Sequence, residues 1–382
     1  MAVPFLFLSA NTPWVYALAQ ELAKDAPVTA IQLYDWPNYR RIKPRWPEEQ
    51  SAVRRRRIVM PPGYAGTLER LHRPIMRSLF LSEYRRLRKA TGVDPVLVAP
   101  YPYLAPWVRF VAGERLVYYN LDDYALYNPP RAQIIRQQED ELVARAGMTA
   151  CLSAYQVEQL SRRNPAHANR IRHFALGVAD DFINPDPQMA PMANTVGYVG
   201  NLGDRVDWLL VDTVAAQMPH VTFHFVGFAQ GPEDRAAMNE WQRARHDAFA
   251  RPNVIYEGGV PQADVRLHYW RYAVNWMPYD VQHPFNLAAC PTKIMDAIAS
   301  GRPFISTPTP EVQLSPDYIA IANNADGFAA LIRDALKGPP DASERIAYAR
   351  ANTWREKAIE FRRLLDRTAE QATGIAGASH GS

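Results

Sequence analysis

The stretch CPTKIMDAIASGRPFIST, residues 290–307, decides how the chain is read. Pro291 suits the first helical position and Gly301 the residue past the last turn, so the pattern predicts a helix of about nine residues followed by a strand. The start of such a helix exposes unpaired N–H groups and the positive end of a dipole, which together favour a phosphate. Lys293, beside Thr292 in that first turn, adds a full positive charge. Asp296 falls one turn on, along the same side. A carboxylate there would repel a phosphate but could accept hydrogen bonds from a ribose diol. Phosphate beside diol describes a nucleoside diphosphate. The competing reading is a plain surface pair of Lys and Asp.

Outward from this stretch, strand and helix alternate. Strand patterns fall at 3–9, 28–34, 96–101, 115–121, 148–154 and 171–176, then at 195–201, 221–228, 254–258, 274–279, 304–307 and 318–322. Several are nearly continuous apolar runs, as in a parallel sheet buried on both faces. Helical patterns between them predict an α/β fold of two Rossmann-like, doubly wound parallel-sheet domains with ligands at the carboxyl ends of their strands, in a cleft. The expected division is an N-terminal domain over 1–180, a linker over 181–194 and a second domain over 195–345. A helix over 346–370 would pack back on the first domain, and 371–382 would be a disordered tail. No G-x-G-x-x-G follows the first strand, which weighs against a dinucleotide-dependent dehydrogenase.

Composition bounds the rest. The chain has 382 residues, 48% hydrophobic, with two cysteines, Cys151 and Cys290. No window reaches the roughly 18 apolar residues of a membrane span. The apolar opening lacks a basic leader and reads as a first strand. Two distant cysteines suit a reducing cytoplasm and exclude a disulfide framework. Charge is uneven: between Arg40 and Lys89 fifteen basic residues face four acidic ones, so this segment is +11 and the remainder −7. Such a segment is either a site for anionic partners or a solvated face. Residues 67–90 mix arginines with Leu, Ile, Met and Phe at helical spacing, as in an interfacial helix or a core helix with a basic outer side.

The order of these features resembles the two-domain B-type (GT-B) glycosyltransferases. PTKIMDAIASGRPFIST is similar to their proline–x–lysine, acidic residue and glycine run. GYVGNLGDRVDWLLV (197–211) resembles the start of their donor domain, and HFALGVADDF (173–182) and CLSAYQVEQLSRR (151–163) the segments before it. The likeness is strongest to bacterial polysaccharide-building members of the teichuronic-acid and xanthan glucuronosyl types. It implies a nucleotide-sugar donor, with UDP as the expected base, and a glycan or polyprenyl-diphosphate-linked acceptor. It further implies Thr292 and Lys293 on the diphosphate, Asp296 on the ribose, Gly200, Asn201 and Arg205 near the pyrophosphate, Glu257 at the nucleoside, and Tyr279 and Asn286 lining the donor pocket. Many retaining members carry a glutamate eight positions before the acidic residue; Ala288 stands there, so an inverting reaction is the expectation. Its general base would be a carboxylate of the first domain, Asp123 or its neighbour Asp122, unless one of them merely caps a turn. Tyr118, Tyr119, Tyr124 and Tyr127 could stack on an acceptor sugar or fill the core. Neither a metal nor a cofactor is expected. The basic segment would dock on an anionic membrane surface from the cytoplasmic side. Two rivals remain: an epimerase or hydrolase on the same fold, and a nucleic-acid-binding protein, for which no recognition motif is present.

Overall fold

The computed structural model describes residues 2–44, 52–66, 68–232, 234–315, 317–338 and 341–378, with side chains to Thr368. It divides into two compact units, one formed by Met1–Leu176 with Trp354–Ser382 and the other by Gly177–Thr353.

The first unit holds a seven-stranded sheet: β1 (Phe5–Phe7), β2 (Val28–Asp35), β3 (Arg54–Met60), β4 (Val96–Ala99), β5 (Leu116–Asn120), β6 (Met148–Cys151) and β7 (Ile171–His173). Their order is β3-β2-β1-β4-β5-β6-β7, every pair parallel. β1, β4, β5 and β6 are buried along their whole length, which is why they read as apolar runs. β3 is different. Its sequence RRRRIVM carries no apolar alternation at its start, and the sequence analysis placed no strand there. It is an edge strand, where charge blunts the open row of backbone groups. Glu83, buried on the helix Glu69–Thr91, pairs with Arg54 of β3 at 3.8 Å and with Arg56, so the edge is fastened electrostatically. That helix buries Met76, Phe80, Tyr84 and Leu87. It is therefore a core helix, with a basic and apolar outer side.

The second unit holds β8 (Met192–Val199), β9 (Thr222–Val226), β10 (Val254–Gly258), β11 (Tyr272–Met277), β12 (Phe304–Ser306) and β13 (Ala320–Ile321), in the order β10-β9-β8-β11-β12-β13, again all parallel. Its core packs Trp208, Phe225 and Phe249 on one another, with Trp276 between Phe223 and Phe328. The stretch expected to be a linker is tied to this unit. Asn184 donates to the Ser300 carbonyl at 3.0 Å, the Arg302 guanidinium reaches the Met189 carbonyl at 2.7 Å, and β8 already begins at Met192.

Near the C-terminus two helices stand where one was expected, Ser343–Ala351 in the second unit and Trp354–Ala378 in the first. Phe361 of the latter packs between Phe5 and Phe174, and Arg362 donates to the Leu22 carbonyl at 3.1 Å. The helix continues past 371, where the sequence predicted a disordered tail; residues 379–382 lie outside the described residues.

Candidate functional site

In the second unit β8 and β9 end alike, on Val199-Gly200 and Val226-Gly227. Both glycines take positive φ, +146° and +145°. The Gly200 amide donates to the Val226 carbonyl at 2.8 Å. A Cβ on Gly227 would sit 1.7 Å from the Gly200 oxygen, and one on Gly200 would sit 2.6 Å from Lys293 Nζ. Only glycine lets the two strand ends approach so closely. The same absence of side chains lets the lysine lie directly over the loop.

Lys293 stands in the first turn of the helix Thr292–Ala299, with Pro291 as its N-cap; the helix thus starts one residue later than predicted. No side chain caps this end, and of its first-turn amides that of Ile294 donates to the Pro291 carbonyl at 3.1 Å. The Lys293 ammonium donates to the Tyr279 hydroxyl at 2.8 Å and lies 5.1 Å from the ring centres of both Tyr198 and Tyr279. Tyr198 is buried, and its hydroxyl donates to the Asn201 carbonyl at 2.9 Å. Burial would push the Tyr279 phenol up, but the Lys293 ammonium beside it brings it below its ordinary value; burial raises Tyr198 well above its own. Among the described residues no carboxylate pairs with Lys293. Arg205 is a second unpaired cation there: its guanidinium lies 4.7 Å from the Phe285 ring centre and bonds to no described residue. Its backbone is clamped, since its carbonyl accepts from the Asp280 amide at 2.9 Å and from Asn286 Nδ2 at 2.8 Å.

Asp296 is half-buried one turn beyond Lys293, and no described residue hydrogen-bonds its carboxylate. Burial raises its pKa to about 7; Lys293 pulls it down and Asp181 pushes it up. Thr292 and Asn201 are exposed.

Two expected donor contacts have other duties. The Glu257 carboxylate accepts from Tyr272 at 2.8 Å, pairs with Arg271, and meets His224 Nδ1 at 2.7 Å. Burial opposes its charge, but these hydrogen bonds hold its pKa below the usual value. It is engaged within the unit rather than open to a nucleoside. Asn286 is buried and braces the Arg205 and Asp280 carbonyls, so its side chain holds the backbone beside Arg205 rather than facing a ligand. Tyr198 and Gly227 are additions that the sequence reading passed over. The repeated Val-Gly at the ends of consecutive strands was the available signal for Gly227.

In the first unit Asp123 takes the capping role that was its alternative reading. Its Oδ1 accepts from the Ala125 amide at 3.0 Å, and its Oδ2 lies 3.6 Å from Arg136. Asp122 accepts from the Asp123 amide at 2.9 Å and from the Tyr127 hydroxyl at 2.6 Å. Tyr118 and Tyr119 are wholly buried and belong to the core, whereas Tyr127 is exposed. Much of the basic segment is paired: Arg56 and Arg86 with Glu83, Arg73 with Glu69, Arg88 with Asp94. Arg57 donates to Gln32 and Arg55 to Tyr16. Arg45 and Glu48–Glu49 lie outside the described residues. No group of three or more His, Cys, Asp or Glu among the described residues is placed to hold a metal, and no described helix is long and apolar enough to cross a membrane.

Residues 193–338 match the family model described as glycosyl transferases group 1. The chain is 24% identical over 188 residues to the Bacillus subtilis protein named as the teichuronic acid biosynthesis glycosyltransferase TuaH, a match spanning 47% of this chain and 45% of that one. It thus spans about half the length of that relative. Among solved structures, sucrose-phosphate synthase from Thermosynechococcus elongatus aligns with a TM-score of 0.69 at 15% identity, over 97% of this chain and all of the other. Anabaena HepE in complex with UDP aligns at 0.64 and 13% identity, over 98% of this chain and 100% of that one. These likenesses share two parallel-sheet α/β domains of the GT-B kind. The chain thus has the GT-B fold, and its residues 193–338 are similar to a glycosyl transferases group 1 domain.

Proposed function

We propose that this chain is a glycosyltransferase that binds a UDP-sugar on its second unit and transfers the sugar to a glycan or lipid-linked acceptor in polysaccharide assembly. One observation carries the reading: the Lys293 ammonium, with no carboxylate bonded to it among the described residues, held by the Tyr279 hydroxyl and two tyrosine rings over Gly200 at an uncapped helix start. A diphosphate there meets the ammonium, the first-turn N–H groups and Thr292, while Arg205 adds a second charge as the leaving group forms. Asp296, without a partner of its own, takes the ribose diol. Catalysis in this arrangement is electrostatic: cations already in place stabilise charge that develops on the departing UDP. HepE in a complex with UDP supports that choice of nucleotide.

We place proton acceptance from the attacking hydroxyl on the Asp122–Asp123 pair, and Ala288 in place of a glutamate favours an inverting displacement. Outward-facing Leu71 and Ile75, between Arg70 and Arg77, would rest on the anionic inner face of the membrane. The test is calorimetric titration of UDP and GDP into the wild-type protein and Lys293→Ala. UDP binding that weakens tenfold or more in the variant, about 1.4 kcal/mol, is expected. A wild-type protein indifferent to both nucleotides would refute the proposal.

A further inference from the structure

The two sheets end in four edge strands, and they are not guarded alike. β3 is written in arginine, β7 is three residues long and carries Arg172 and His173, and β13 has only two residues. β10 (Val254–Gly258) is a full five-residue strand that pairs with β9 and with no other strand among the described residues. An open edge templates pairing with another chain, and natural proteins shield it with charge, proline, shortness or a cover. β10 contains no proline and is not short. Its single charged side chain, Glu257, is bound by His224, Arg271 and Tyr272 of the same unit.

Nor is the middle of the strand covered. Successive strand residues point to opposite faces, yet Ile255 and Tyr256 are 43% and 44% exposed, so both faces are open there. Phe228, 68% exposed, stands at the end of the same edge, where its ring lies 2.4 Å from the place a Cβ on Gly259 would take. The Tyr256 ring stacks on Phe249 at 5.2 Å, and beside it lies a cavity of about 290 Å³ walled in part by Met238, Phe249 and Ala250. Contiguous exposed apolar groups of this kind mark an interaction surface.

The charges decide what fits there. Near the edge Arg251 pairs with Asp212 and Arg235 with Asp247, as Glu257 does with Arg271. The surface is therefore close to neutral: it offers little to a charged peptide and does not repel a copy of itself. Two β3 edges would set arginine against arginine, and like charges directly opposite destabilise a strand pair. We propose that β10 is the contact through which two copies of this chain associate, antiparallel and edge to edge about a two-fold axis. Such a contact uses the same patch on both copies, so assembly closes at two. It joins the two six-stranded sheets into one continuous sheet and gives side chains on the Tyr256 face a cavity to enter. Five residues of ladder and three apolar side chains per copy fall short of the roughly 1,200 Å² of a stable interface, so the dimer is weak and depends on concentration.

Sedimentation equilibrium of the full chain tests this. The weight-average mass should rise from 43.2 kDa towards twice that value, with half-association between about 10 and 300 μM. Ile255→Lys opposes two like charges near the axis and should weaken association about tenfold or more. Leu314→Lys, at another exposed apolar side chain, beyond β12, should leave it unchanged. Near-ultraviolet circular dichroism checks that both variants keep the native fold. In the wild type, hydrogen exchange at the amides of β10 should slow with rising protein concentration, a reading that stands whether or not Ile255→Lys folds. A chain still monomeric at about 300 μM overturns the proposal. So does a dimer indifferent to Ile255→Lys, or one whose β10 amides exchange equally fast at low and high concentration.

Discussion

Asp296→Asn should make the protein's stability less dependent on pH, in a direction the structure fixes. The Asp296 carboxyl has its pKa raised from 3.8 to about 7 by burial, with Lys293 opposing the rise. The folded state therefore holds this proton more tightly than the unfolded chain. That contribution is complete below the unfolded pKa and is lost as pH rises through the folded one. Between about pH 5 and about pH 8 the ceiling is about 3 kcal/mol, at 1.36 kcal/mol per pH unit. A carboxyl half-open to water has part of that screened, which leaves about 1–2 kcal/mol. The asparagine variant carries no such term, so relative to wild type it should gain about that much on going from the lower pH to the higher. Urea unfolding followed by tryptophan fluorescence reads the difference, since Trp208 and Trp276 are buried in the same unit. An equal stability difference at both pH values would refute the reasoning. The companion variant Lys293→Ala removes the charge that lowers Asp296, and should move the pH-dependent loss to higher pH.

Gly227→Ala should cost more than about 3 kcal/mol, because positive φ and a Cβ 1.7 Å from the Gly200 oxygen cannot both be relieved. Gly200→Ala carries the same positive-φ strain but meets only the movable end of Lys293, so it should cost less than Gly227→Ala while weakening UDP binding. Equal thermal midpoints for the two would contradict the geometry. Leu71→Ser with Ile75→Ser, at side chains 71% and 55% exposed, should leave stability unchanged. The same pair should reduce sedimentation with phosphatidylglycerol vesicles. Binding that ignores both the substitutions and added salt would remove the membrane reading.

The sheet was legible because parallel strands buried on both sides must be written in apolar residues, as in VLVA of β4 or the centre of VTAIQLYD in β2. β3 was not, since an edge strand can be written in arginine when a partner such as Glu83 waits beneath it. Its register against β2, Arg54 opposite Thr29 through Met60 opposite Asp35, is a property of the folded sheet that no local pattern announces. The same difference separates the site residues. The place of Lys293 in a first helical turn could be read because a helix start is a local event, with Pro291 and Gly301 marking it in the sequence itself.

Tyr198 and Glu257 could not be assigned in this way, because their roles depend on what the tertiary fold brings alongside. Tyr198 becomes a platform only when β8 places it beneath a lysine 95 positions further on. Glu257 ends a strand just as a ligand-binding acid would, yet His224, Arg271 and Tyr272 converge on it from β9, from the helix Val265–Arg271 and from β11. A carboxylate with three partners is held in its ionised form by them, and a ligand would have to displace one to reach it. Asp296 is the contrasting case, an acid of the same unit that folding leaves raised in pKa and without a hydrogen-bond donor among the described residues. Unmet hydrogen-bonding capacity, rather than the residue type or its place at a strand end, is what separates Asp296, the acid proposed to receive a ligand, from Glu257, the acid that braces its own unit.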